Sequence, residues 1–200
     1  MNTFGFAAKP PVLRCGRCGK FVDWEESRLQ VVCSCRPHIE LPPVLVREPT
    51  ADERETALQL FKRDFGAAQL VAYGEPISLD DASALVAETD RGIGGALAWR
   101  HFDGAFHIMA LATEPTWQRA GVAGHLLAEA ELLARGQNQP RIVVTMTNDN
   151  LPALYFYQRR GYRIAAVVRD SAAAQSRDQR VLGFAGIPIL DEIQLVKYLA

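Results

Sequence analysis

Apolar and polar positions along this chain follow two rhythms. From residue 50 to residue 66 the apolar residues Ala57, Leu58, Leu60, Phe61 and Phe65 recur at helical spacing, which predicts an amphipathic helix. Thr50 stands where a helix cap is needed, and Glu53, three residues on, completes a capping box. Gly66 is a fitting stop. Helical spacing returns at Val122, Leu126, Leu127, Ala130, Leu133 and Ala134, with Gly136 as terminator. It returns once more after Asn148-Asp149-Asn150, with Pro152 in the first turn, and runs through Leu154 and Tyr157 to Gly161. Short apolar runs bounded by turn residues predict strands at Val44–Val46, Ala84–Glu88, Ile93–Arg100, Ala105–Thr113, Arg141–Thr147, Tyr162–Arg169 and Ile189–Leu199. His101-Phe102-Asp103-Gly104 reads as a hairpin turn. Residues 67–78 read as a second short helix or a loop on the substrate side, and Asp170–Asp178 as an exposed loop or a short frayed helix. Because a helix joins Ala105–Thr113 to Arg141–Thr147, those two strands are expected to be parallel. The strands before them form an antiparallel meander. The expected class is α/β in the α+β sense, a mixed and mostly antiparallel sheet flanked by helices.

Composition narrows the function classes. Of the 200 residues, 48% are hydrophobic and 22% charged, and net charge is −1. This is the mix of a soluble globular chain, with no global field to draw it to nucleic acid or to an anionic membrane. No apolar run approaches the ~20 residues that a membrane span needs. Met1 to Pro11 lacks the basic start and apolar stretch of a secretory leader. The expectation is a cytoplasmic protein with reduced thiols.

Four cysteines stand in the first 35 residues, as Cys15-x-x-Cys18 and Cys33-x-Cys35. Two close pairs separated by a hairpin-length insert match the spacing of a zinc ribbon, with four thiolates around one tetrahedral ion. The second pair is tighter than the usual spacing, and His38 is close enough to substitute. Free thiols or disulfides are the alternatives. So short a segment buries little core, and one structural zinc would supply its folding energy. Arg14, Arg17, Lys20, Arg28 and Arg36 give it a mild positive excess. Prolines at 37, 42 and 43 mark its exit, so the expected division is a module over residues 1–41 and a larger domain over 42–200.

The strongest local signal is Gln118-Arg119-Ala120-Gly121-Val122-Ala123-Gly124, between a strand and a helix. Glycine lets a backbone approach a ligand closely. The first N–H groups of a helix lack internal partners and, with the helix dipole, make a phosphate site. An ordinary strand-to-helix turn packed through small residues is the plainer reading. A meander is not the βαβ entry of a dinucleotide fold. The loop also lacks the Lys-Ser/Thr ending of a nucleoside-triphosphate loop.

Gln118-x-x-Gly121-x-Ala123 resembles the Gln/Arg-x-x-Gly-x-Gly/Ala signature of the GNAT superfamily of N-acetyltransferases. Asn150-x-x-Ala153-x-x-x-Tyr157-x-x-x-Gly161-Tyr162 resembles its second signature, with Tyr162 in place of phenylalanine. The resemblance covers roughly residues 42–200; the zinc ribbon is not part of it. It implies a GNAT-like sheet with a splayed central parallel strand pair, and acetyl-coenzyme A as donor. The pyrophosphate would be held at Gln118, Arg119, Ala120, Gly121, Val122, Ala123 and Gly124. The pantetheine arm would lie along Leu111, Ala112 and Thr113, and against Asn150 and Ala153.

The resemblance further implies direct transfer to an amine. Tyr157 stands at the position that often supplies the leaving thiolate with a proton, and also lines the coenzyme. Counting back from the loop puts the base position of histone-type members at His107. Glu114 and Glu88 are rivals, and a water chain with no single base is an equal alternative. The acceptor stays open among protein amines, polyamines, antibiotics and small metabolites, with a slight lean to protein or peptide because the ribbon could dock a protein partner. A homodimer is left open. The competing function is a catalytically weak acyl-coenzyme A sensor whose ribbon contacts nucleic acid or protein.

Overall fold

The computed structural model describes residues 44–66, 69–72, 75–171 and 181–199, together with four two-residue strands nearer the N-terminus. The chain divides into two units, Met1–Glu40 and Leu41–Ala200. In the first, β1 (Leu13–Arg14) pairs antiparallel with β2 (Phe21–Val22), and β3 (Trp24–Glu25) with β4 (Gln30–Val31). The four cysteines and His38 of the expected zinc site lie outside the described residues. Among the described residues no group of three or more His, Cys, Asp or Glu could hold a metal ion.

The second unit is built on a seven-stranded sheet. Its elements are β5 (Leu45–Arg47), α1 (Ala51–Phe65), β6 (Gln69–Ala72), β7 (Glu75–Ser78), β8 (Ser83–Thr89), β9 (Gly92–Phe102), β10 (Ala105–Thr113), α2 (Val122–Gly136), β11 (Arg141–Thr147), α3 (Leu151–Gln158), β12 (Arg163–Val168) and β13 (Glu192–Tyr198). The sheet order is β12-β13-β11-β10-β9-β8-β5, antiparallel except for the β10–β11 pair. The expected mixed fold is therefore present.

Local chemistry sets the elements. Thr50 and Glu53 close the capping box at the start of α1, and Gly66 ends it in a left-handed conformation at φ 76. The Glu53 carboxylate also takes Arg47, at 2.7 Å, and this pairing lowers its pKa to about 2. The β9–β10 turn uses only Asp103 and Gly104, both at positive φ, so His101 and Phe102 belong to the strand. Residues 69–72 and 75–78 differ from expectation: they pair antiparallel as β6 and β7.

Two cores lie on opposite faces of the sheet. Leu97, Phe106, Ile108, Ile142, Val144 and Leu195 pack under Val122, Leu126 and Leu127 of α2 and Tyr157 of α3. Val86, Ala96, Ala98, Ala110 and Ala112 pack under Ala57, Leu60 and Phe61 of α1. Small residues on the second face let α1 lie close to the strands. Among the described residues no helix is long and apolar enough to cross a membrane.

Candidate active site

The loop after β10 is shaped for an anion. Pro115–Trp117 forms a single 3-10 turn. Arg119 at φ 62 and Gly121 at φ 94 then take left-handed backbone, and Gly121 caps α2. Backbone bonds run from Ala120 N to Trp117 O at 3.1 Å, and from Gly124 N and His125 N to Gly121 O at 2.8 and 3.1 Å. The N–H groups of Gly121, Val122 and Ala123 come before the first of these helical bonds, at the positive end of a 15-residue helix. Two glycines of β9 seat this turn. A Cβ on Gly95 would stand 2.9 Å from Ala112 O and 3.0 Å from Val122 Cγ1. One on Gly94 would stand 2.8 Å from Thr89 Cγ2 and 3.0 Å from Trp117 Cδ1.

Beside the loop the strands part. β10 and β11 pair only at Phe106–Ile108 with Ile142–Val144. On its other side β10 carries a bulge: Ile108 faces Trp99 but Ala110 faces Ala98, so Met109 is the extra residue. Beyond the bulge, Leu111, Ala112 and Thr113 keep their pairing to β9 while Thr145–Thr147 pair with β13. A fork opens at Ile108 and Val144, with strand edges on both arms. The Thr113 carbonyl already accepts from Arg63 Nη2 at 2.9 Å. That leaves it one lone pair.

The segment after β11 fixes the far wall. Asn150 Oδ1 accepts from Ala153 N at 3.2 Å and caps α3. Asn148 Oδ1 accepts from Leu190 N and Asp191 N, and Asp149 Oδ2 from Phe184 N at 2.9 Å, so the loop before β13 is tied to the end of β11. Tyr157, from the last turn of α3, is buried, its ring edge-on to Phe156 and Tyr162 at 5.1 and 5.3 Å. Burial pushes its phenol well above the ordinary value near 10, against a smaller pull from Arg160. It is therefore a neutral O–H at pH 7.

Comparison with known proteins adds the decisive observation. The model of the acetyltransferase (GNAT) domain matches residues 80–164, which hold both the loop and α3. A Bacillus subtilis (strain 168) protein, YxbD, itself uncharacterized, is 30% identical over 143 residues, covering 70% of this chain and 89% of YxbD. Residues 80–164 belong to the acetyltransferase (GNAT) domain family.

Two solved GNAT-fold structures agree in architecture. An IAA acetyltransferase from Bacillus cereus superposes with a TM-score of 0.61 at 20% identity, covering 78% of this chain and 100% of its own. A GNAT acetyltransferase from Elizabethkingia anophelis, solved with acetyl-CoA bound, gives 0.61 at 20% identity, covering 78% and 98%.

In this GNAT domain the two acidic candidates for the base are engaged by arginines. The Glu114 carboxylate is held by Arg63 at 2.9 Å, at the loop end of β10 rather than at the fork. Glu88, on β8, is held by Arg47 at 2.8 Å. His107 is buried one residue before the last β10–β11 pair, opposite Val143, with Phe102 edge-on at 5.5 Å. Burial is the main cause that lowers its pKa from 6.5, so the imidazole is neutral at pH 7.

Arg160 carries more than its sequence context suggested. It is exposed, as a helix end should be, but its guanidinium lies 3.8 Å from the Phe156 ring centroid and donates to Phe156 O at 2.9 Å. Its Nη2 is 3.2 Å from where a Cβ on Gly124 would stand. The four-residue spacing from Phe156 to Arg160 was the available signal.

Proposed function

We propose that this domain moves an acetyl group from acetyl-CoA to a primary amine by direct transfer. The observation that carries the reading is the fork at Ile108 and Val144, where β10 leads on into the anion-shaped loop and β11 into the helix that bears Tyr157. The residues fit the donor. The N–H groups of Gly121, Val122 and Ala123 suit a pyrophosphate, and the open edge of β10 at Leu111 to Thr113 suits a chain of amides. Glycines 94 and 95 keep the loop's seat free of side chains. When bound, acetyl-CoA supplies a thioester whose carbon accepts the amine nitrogen while its sulfur departs.

The protein's own part is then to place protons and dipoles. The Leu111 N–H is the donor proposed for the thioester oxygen. Tyr157, a neutral phenol at pH 7, is the proton source proposed for the sulfur. His107, kept neutral by burial, is the base that relieves the amine of its proton. Glu114 is not given that role, because Arg63 engages it. Asn150 is assigned to the pantetheine amides in addition to its cap.

The base assignment predicts a pH profile. Since the imidazole of His107 is depressed below 6.5, kcat/KM should hold level as pH falls from 8 toward 6.5 and decline only below it. His107→Gln should remove that acid limb. A limb that persists in the variant would assign it elsewhere.

For residues 1–41 we propose a separate ribbon module that binds one structural zinc through Cys15, Cys18, Cys33 and Cys35, in a cytoplasmic protein. The support is the spacing alone. Elemental analysis of the full-length protein should find about one zinc per chain, released when Cys15 and Cys18 are both changed to Ser. Metal-free native protein would end the proposal.

A further inference from the structure

The sheet face beneath α1 changes character at the fork. Over β8, β9 and β10 it carries Val86, Ala96, Ala98, Ala110 and Ala112 against the helix. On β11 and β13 the same face carries Thr145, Thr147, Gln194 and Glu192, since Val144, Met146, Ile193 and Leu195 point into the opposite core. Register places Thr145 opposite Gln194 and Thr147 opposite Glu192. Glu192 is only 6% exposed, and Gln194 Nε2 donates to its Oε1 at 3.0 Å. Among the described residues Thr145 Oγ1 is buried with no hydrogen-bond partner. Thr145 is also the first residue of β11 beyond its last pair with β10, and His107 shares its face.

We propose that this polar row is the acceptor subsite, and that the acceptor carries a second, cationic nitrogen received by Glu192. This rests on the acetyltransferase reading. The reacting nitrogen must be neutral to attack, and His107 is the base proposed for it. Glu192 stands one step further along the strands, ~7 Å beyond Thr145 at two residues of rise. Its place suits a nitrogen that stays charged. Thr145 at the fork offers the reacting amine a hydrogen-bond acceptor and leaves it free to lose its proton. A buried carboxylate gains most from a cation that reaches it, because little water screens the pair. The substrate class is a short diamine or a longer polyamine, in which methylenes join the two nitrogens.

The test compares putrescine with butylamine, which has the same chain length and one nitrogen, as acceptors for the full-length protein. The wild type should show kcat/KM for putrescine at least about tenfold above butylamine, an effect of ~1.4 kcal/mol. Glu192→Gln should erase that preference and leave acetyl-CoA Kd unchanged. Equal use of both amines by the wild type, or a preference that survives in Glu192→Gln, would overturn the inference. If Glu192→Gln does not fold, Gln194→Met, which removes the amide that orients the carboxylate, should reduce the preference, and no reduction counts against it. Should neither amine be acetylated, coenzyme A release over a wider panel of amines and peptides decides the transferase reading, and calorimetry decides the subsite: putrescine binding lost in Glu192→Gln upholds it, while no binding overturns it.

Discussion

Tyr157→Phe should lower kcat by roughly a hundredfold or more, the usual range for loss of a positioned proton donor, and leave the acetyl-CoA Kd where it was. The two readouts separate because the ring and the hydroxyl do different things. The ring is edge-on to Phe156 and Tyr162 inside the core and holds α3 against the sheet. Phenylalanine keeps that packing. The hydroxyl is the group proposed to deliver the proton, and it is the only part of the side chain that the substitution removes. Steady-state rates over a pH series, with donor affinity by calorimetry, measure both. An unchanged kcat would remove Tyr157 from the chemistry and leave it as a core residue.

Gly124→Asp should move stability and affinity in opposite directions. Position 124 lies in the first turn of α2, where a carboxylate is stabilising by ~0.3–1 kcal/mol. The neighbour it would meet, Arg160 Nη2 at 3.2 Å, is the far end of a flexible cation. The ligand-free protein should therefore melt higher. The same carboxylate would stand where phosphate oxygens are proposed to sit and would occupy Arg160, so acetyl-CoA Kd should rise by about tenfold to a hundredfold, or ~1.4–2.7 kcal/mol. Undiminished affinity would show that the phosphates lie elsewhere.

Much of this architecture was legible because local rules decided it. Ala105–Thr113 reads directly as a strand, and Thr50 with Glu53 as a helix start. Boundaries shifted where a long-range bond took a backbone group. The last strand begins at Glu192 rather than Ile189, because Asn148 accepts the N–H groups of Leu190 and Asp191. β12 begins at Arg163 rather than Tyr162, because the Tyr162 N–H donates to Tyr157 O and closes the helix. β6 and β7 are strands of four residues, too short to impose a period on the pattern. At the site, motif spacing located the loop and α3. It could not show Arg63, fifty positions from Thr113, holding that carbonyl. Nor could it show which face Thr145 and Glu192 share, since that depends on the pairing of β11 with β13.

That pairing also governs the order in which the domain can be completed. β13 follows β12 in sequence, yet it lies between β11 and β12. Until residues 192–198 leave the ribosome, β12 has no neighbour in the sheet and β11 presents a bare edge rich in valine and isoleucine. Pairings that span so much sequence form late. The domain is therefore most open to mispairing before β13 docks, and β12 joins the sheet only when β13 lies between it and β11.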